Sequence, residues 1–69
     1  MNLLDVVALT HDLPDRNLYK GQVGTIVEVY APEAFEVEFV DLQGKTYALE
    51  TLTISQIMKL YYQSLIQVA

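Results

Sequence analysis

Gly21-Gln22-Val23-Gly24-Thr25-Ile26-Val27-Glu28-Val29-Tyr30 is the stretch on which the fold turns. A turn glycine is followed three residues on by a second glycine, and then by a β-branched run. Val, Ile and Thr suit a pleated strand because their stiff side chains pack well on its neighbours. A glycine inside such a run marks a bulge, or a sharp bend where side chains would collide. Small barrels need bends of this kind to close, and Gly24 is where one is expected.

Working outward, Val6-Val7-Ala8-Leu9-Thr10 reads as a first strand. Between the two strands, His11 to Lys20 holds Asp12, Pro14, Asp15 and Asn17, all turn formers, and reads as a long loop rather than an element. Downstream, Ala31-Pro32-Glu33-Ala34 interrupts the pattern. Phe35-Glu36-Val37-Glu38-Phe39-Val40 then alternates apolar and acidic residues, which puts Phe35, Val37 and Phe39 on one half-buried face. Asp41-Leu42-Gln43-Gly44 suits a hairpin loop, and Lys45 to Leu52 forms a fourth strand. Four strands at even spacing favour a barrel or sandwich over an α/β fold.

The last part of the chain supports two readings. Ile57, Tyr61, Leu65 and Val68 recur at helical spacing, giving one amphipathic helix over residues 56–68. Alternatively, Ile54–Gln56 makes a single 3-10 turn and Ile57–Leu60 a short fifth strand. Fold completeness favours the strand, because four strands would leave an unprotected edge. The expected architecture is therefore all-β: a small five-strand SH3-like barrel over residues 1–60, a 3-10 turn before its last strand, and an apolar tail over 61–69.

Sixty-nine residues make one domain, near the lower size limit for folding without staples. There is no cysteine, so neither a disulfide framework nor a thiolate metal site is available. Hydrophobic residues at 52% must supply the core. The net charge of −5, with only Arg16, Lys20, Lys45 and Lys59 basic and scattered, argues against nucleic acid and for a basic partner. The opening Met1-Asn2-Leu3-Leu4-Asp5 lacks a basic region, and the apolar runs are too short to span a membrane. A cytoplasmic setting is the expectation.

The core Gly21-x-x-Gly24-Thr25-Ile26-Val27 resembles the opening of KOW-type and other SH3-like barrels. Leu4 to Leu9, the Asp12-Leu13-Pro14 loop, Gly21 to Tyr30, Tyr30 to Asp41 and Thr46-Tyr47-Ala48-Leu49 together resemble a family of short bacterial proteins, the domain of unknown function DUF4926. The resemblance covers roughly residues 3 to 60. It implies an SH3-like barrel, no enzymatic activity, and a small partner-binding or antitoxin-like role. The tail lies outside it.

Few residues offer chemistry. His11 beside Asp12 in a turn-rich loop reads as solvated, and no nucleophile and base can be assembled around it. His11, Asp12 and Asp15 lack the spacing of a zinc or calcium loop. No catalytic residue, metal or cofactor is therefore expected. Glu36 and Glu38 share the outer face of their strand. Inward-pointing Val27, Val29, Phe35 and Val37 would bring Glu28 beside one of them. Such a set is either a solvated face offset by Lys45 or Lys59, or an acidic patch that meets a basic protein. Tyr19 and Tyr30 flank open loops and are candidate contacts. Tyr61, Tyr62, Leu65 and Ile66 follow the last charge and must pack back on the domain or against a neighbour.

Three functional classes follow. The first is a non-catalytic interaction module for a basic protein, antitoxin-like, immunity-like or accessory to an enzyme. The second is a KOW-like nucleic-acid or ribosome-associated module. The third is a structural homo-oligomer assembled through the tail.

Overall fold

The computed structural model describes residues 1–61; of the tail expected over 61–69, all but Tyr61 lies outside the described residues. Five antiparallel strands form one sheet: β1 (Val6–Leu9), β2 (Val23–Ala31), β3 (Ala34–Val40), β4 (Thr46–Thr53) and β5 (Ile57–Lys59). Their order across the sheet is β4-β3-β2-β1-β5. The all-β class, the five strands and the 3-10 turn at Ile54–Gln56 agree with the sequence reading.

The strand order dictates the shape. Adjacent strands lie about 4.8 Å apart, so in a flat sheet β4 and β5 would stand roughly 19 Å from each other. Yet they are consecutive in the chain, joined only by Ile54–Gln56. A 3-10 turn rises about 2 Å per residue and spans less than half that gap. The sheet must roll. The hydrogen bonds agree: the turn takes Glu33 at the β2–β3 corner through the Ile54 N–H (3.1 Å), and Thr10 after β1 through the Gln56 carbonyl (2.9 Å). Gln56 also caps the turn, its Oε1 accepting the Thr53 N–H at 2.8 Å. Among the described residues no ladder joins β4 to β5, so the roll is fastened by this turn and not by a closed ring of strand pairs.

Inside the roll, Val7, Leu9, Leu18, Ile26, Phe35, Val37, Phe39, Leu52 and Ile57 form one buried cluster. Every strand contributes, including both outermost ones, through Leu52 and Ile57. The period-two pattern of β3 holds, with Phe35, Val37 and Phe39 fully buried.

Three local expectations are corrected. The segment from His11 to Lys20 is not a featureless loop. Pro14 opens a 3-10 turn over Pro14–Arg16, Asn17 ends it in the left-handed region (φ 59°), and Leu13 and Leu18 pair across it. That folding-back drives Leu18 into the core at 1% exposure. The irregularity of β2 is also not at Gly24, which pairs regularly with Val7. The register shifts between Ile26 and Glu28 and again between Val29 and Ala31. Consequently Ile26, not Val27, fills the core beside Val37, and Val29 is 42% exposed although Phe35 opposite is buried.

Gly24 has a different role. A Cβ there would lie 2.7 Å from Val37 Cγ1, 2.9 Å from the Glu38 carbonyl oxygen and 3.0 Å from Phe39 Cδ1. β3 crosses β2 so closely at this point that only a hydrogen fits. Gly24→Ala should therefore lower the unfolding free energy by about 1–3 kcal/mol. A urea titration would read this as a reduced midpoint at constant slope; an unchanged midpoint would contradict the close approach.

Candidate functional site

The β3 alternation that buries the two phenylalanines turns Glu36 and Glu38 outward, and the ladders place their neighbours. Glu36 stands between Glu28 on β2 and Thr51 on β4, while Glu38 stands between Thr25 and Leu49. The bulge after Ile26 is what brings Glu28 level with Glu36. An extra residue re-aims the side chains beyond it, and here the shift sets two like charges directly opposite, an unfavourable pairing.

The carboxylates are oriented by hydroxyls. Glu36 Oε1 accepts from Thr51 Oγ1 (2.7 Å) and from the Tyr30 hydroxyl (3.3 Å). Glu38 Oε2 accepts from Thr46 Oγ1 (2.6 Å). Both glutamates are half-buried. These neutral donors fix geometry without cancelling charge. Of the two cations expected to offset the face, Lys59 is engaged elsewhere, its Nζ 3.5 Å from Asp5, and among the described residues Lys45 makes no ion pair; Arg16 Nη1 lies 3.7 Å from Glu50. Partial desolvation raises the Tyr30 phenol above its ordinary value, reinforced by the negative charge of Glu36, its hydrogen bond and Glu28.

Glu28, Glu36, Glu38 and Tyr30 thus converge on the outer face of β2, β3 and β4. The other candidates do not join them. Tyr19 sits at the opposite end of β2, where Gln22 accepts its backbone N–H and donates to the Tyr47 hydroxyl at 3.2 Å. Tyr61 is 82% exposed, with the Lys59 ammonium 4.9 Å from its ring centroid. Tyr62, Leu65 and Ile66 lie outside the described residues. Sequence reasoning missed Thr46 and Thr51. The turn at Asp41–Gly44 fixes which β4 residue faces which glutamate, so the hairpin register was the signal that could have found them.

Beside Tyr61, Asp5 ties the start of the chain to β5. Its Oδ2 accepts the Asn2 N–H at 2.8 Å and faces Lys59. The hydrogen bond from Asn2, aided by Lys59 and opposed by partial desolvation, holds the Asp5 carboxyl below its ordinary value. A carboxyl lowered in the folded chain stabilises it above the unfolded value, and that contribution is lost as pH falls through the lowered one.

Residues 3–59 match the family model described as Domain of unknown function (DUF4926), a span that takes in all five strands. No curated protein and no solved structure matches the chain, so the likeness to SH3-like and KOW-type barrels stays a resemblance of residues 21–27. Among the described residues no helix is long and apolar enough to cross a membrane.

Two titrations test this geometry. In Glu36→Gln the Tyr30 phenol should ionise at lower pH than in the parent, followed by tyrosinate absorbance with the other tyrosines replaced by Phe. A Tyr30 titration unmoved by the substitution would show that Glu36 is not its neighbour. For Asp5→Asn, thermal stability should fall less than the parent's between about pH 5 and pH 2; parallel curves would mean that Asp5 contributes nothing at the acid limb.

Proposed function

The chain belongs to the DUF4926 family, and we propose that it is a non-catalytic interaction module whose outer β2–β3–β4 face binds a basic protein. One observation carries this reading: Glu28 and Glu36 oppose each other across the ladder, and neutral hydroxyls rather than cations satisfy Glu36 and Glu38. In the free molecule this arrangement is unfavourable. A lysine or arginine delivered by a partner relieves it, and the fixed carboxylates need little reordering to receive one. Tyr30 and Leu49, 57% and 53% exposed on the same face, supply the apolar contact that an interface core requires.

The field of such a face repels phosphate backbones and speeds the approach of cationic surfaces. Masking the basic surface of a toxin, or accompanying an enzyme subunit, are uses that fit this chemistry. A chain without cysteine gains nothing from an oxidising compartment, which fits a cytoplasmic role.

The test is affinity capture from a lysate of the native host at low and at moderate salt. The parent is run beside a variant carrying Glu28→Gln, Glu36→Gln and Glu38→Gln. A basic protein should be retained by the parent at low salt, released at moderate salt, and retained poorly by the variant. Equal recovery on both proteins would remove the acidic face from the interface.

A further inference from the structure

β4 is the long outer edge of the sheet: eight residues, paired on one side with β3 and on the other, among the described residues, with no strand. The phase of the β3–β4 ladder decides which backbone groups that edge presents. The Ile54 N–H donates to the Glu33 carbonyl at 3.1 Å. Counting back in twos, Leu52, Glu50 and Ala48 exchange hydrogen bonds with Phe35, Val37 and Phe39. Leu49, Thr51 and Thr53 therefore aim their N–H and C=O groups away from β3. The side chains at the edge agree: Gln56 Oε1 accepts the Thr53 N–H at 2.8 Å, and Arg16 donates to the Thr51 carbonyl at 3.4 Å. Among the described residues the Leu49 N–H, the Leu49 carbonyl and the Thr51 N–H are left without a partner.

We propose that this edge takes up an extended segment of a basic protein as an added antiparallel strand, with lysine or arginine at every second position. The proposal rests on the acidic-face reading and gives the partner's chain a place and a form. A strand laid along β4 sets one residue opposite Leu49 and another, two positions away, opposite Thr51, each exchanging two hydrogen bonds with its counterpart. Arg16 guards the Thr51 carbonyl with one long bond, which gives way to the second of these pairs. Residues so placed share a side of the sheet with Leu49 and Thr51, and hence with Glu38 and Glu36, which stand opposite those two on β3. From the added strand to β3 is about 10 Å. A lysine stem crosses that distance over the exposed Leu49 side chain and brings its ammonium to Glu38. The intervening position of the segment falls opposite Glu50, which already has Arg16 at 3.7 Å, so a further cation there gains little. For this reason the basic residues alternate. A second copy of the chain does not meet these terms: its β4 carries no cation, and pairing two such edges would join two acidic faces into one.

Two synthetic peptides of alternating lysine and threonine, blocked at both ends, test this on the full-length chain at low salt. One has an ordinary backbone. The other is N-methylated at each lysine, which keeps the charge and removes the donors that face β4. With the first at about ten times its dissociation constant, hydrogen exchange at the Leu49 and Thr51 amides should slow about tenfold, while the Glu50 amide, already bonded to β3, should change little. The methylated peptide should leave Leu49 and Thr51 as they are. If both peptides shift the Glu36 and Glu38 signals alike and neither slows Leu49 or Thr51, the docking at the edge is overturned and the acidic face stands. If neither peptide moves any signal, the reading of the face falls with it. Leu49 and Thr51 amides already slow without peptide would also overturn the proposal, in favour of a second copy if the slowing grows with protein concentration and of a segment of the same chain if it does not.

Discussion

The shortness of the link between β4 and β5 is the constraint on which the rest of this molecule depends. Strands at opposite ends of the sheet order are joined by three residues, so the sheet cannot lie flat. Rolling it brings Leu52 and Ile57 into one cluster with the side chains of β1, β2 and β3. It also forces β3 across β2 until a side chain at residue 24 has no room. The core of so small a chain is enclosed only because the fastening is tight, and Leu18 fills it from the loop after Pro14–Arg16.

The same roll divides the exterior. Where the ladder runs through β2, β3 and β4, outward positions are acidic and hydroxylic. Where it runs through β5 and β1 to Val23 of β2, they are mostly apolar, with Thr25 beside Val6 leading on to Glu38. Both departures from an ordinary polar surface run against the stability of the isolated chain, one by charge repulsion and one by exposed apolar area. The edges, by contrast, are guarded. Arg16 donates to the Thr51 carbonyl of β4 at 3.4 Å and pairs with Glu50, while β5 is too short to recruit another strand.

Much of this was legible in the sequence. Period-two alternation gave the inner face of β3 directly, because one register buries Phe35, Val37 and Phe39 and any other exposes them. The turns at Ala31–Ala34 and Asp41–Gly44 marked the strand ends. The outward direction of Glu36 and Glu38 followed from the same alternation. What stayed hidden depends on backbone geometry rather than residue type. The shift after Ile26 leaves no trace in a run of β-branched residues, so the inward set of β2 was read one residue out. The burial of Leu18 required knowing that Pro14 and Asn17 fold the loop back. The hydroxyl partners of the glutamates required the β3–β4 register, which alternation within one strand does not contain. Gly24 was singled out correctly, but its reason is a neighbouring strand and not a bend in its own.

The pairing of β1 with β5 has a consequence for how the chain comes together. Val7 pairs with Lys59, nearly the full length of the domain away, whereas β2, β3 and β4 are neighbours in sequence joined by tight corners. The meander closes short loops and can form from local contacts; the β1–β5 ladder must wait for a long one, whose entropy is lost before any contact repays it. During synthesis β1 emerges first and is completed last. One edge of β1 therefore stays unpaired until the final strand arrives, which makes this interval, and not the finished molecule, the point at which the chain is most open to misassembly.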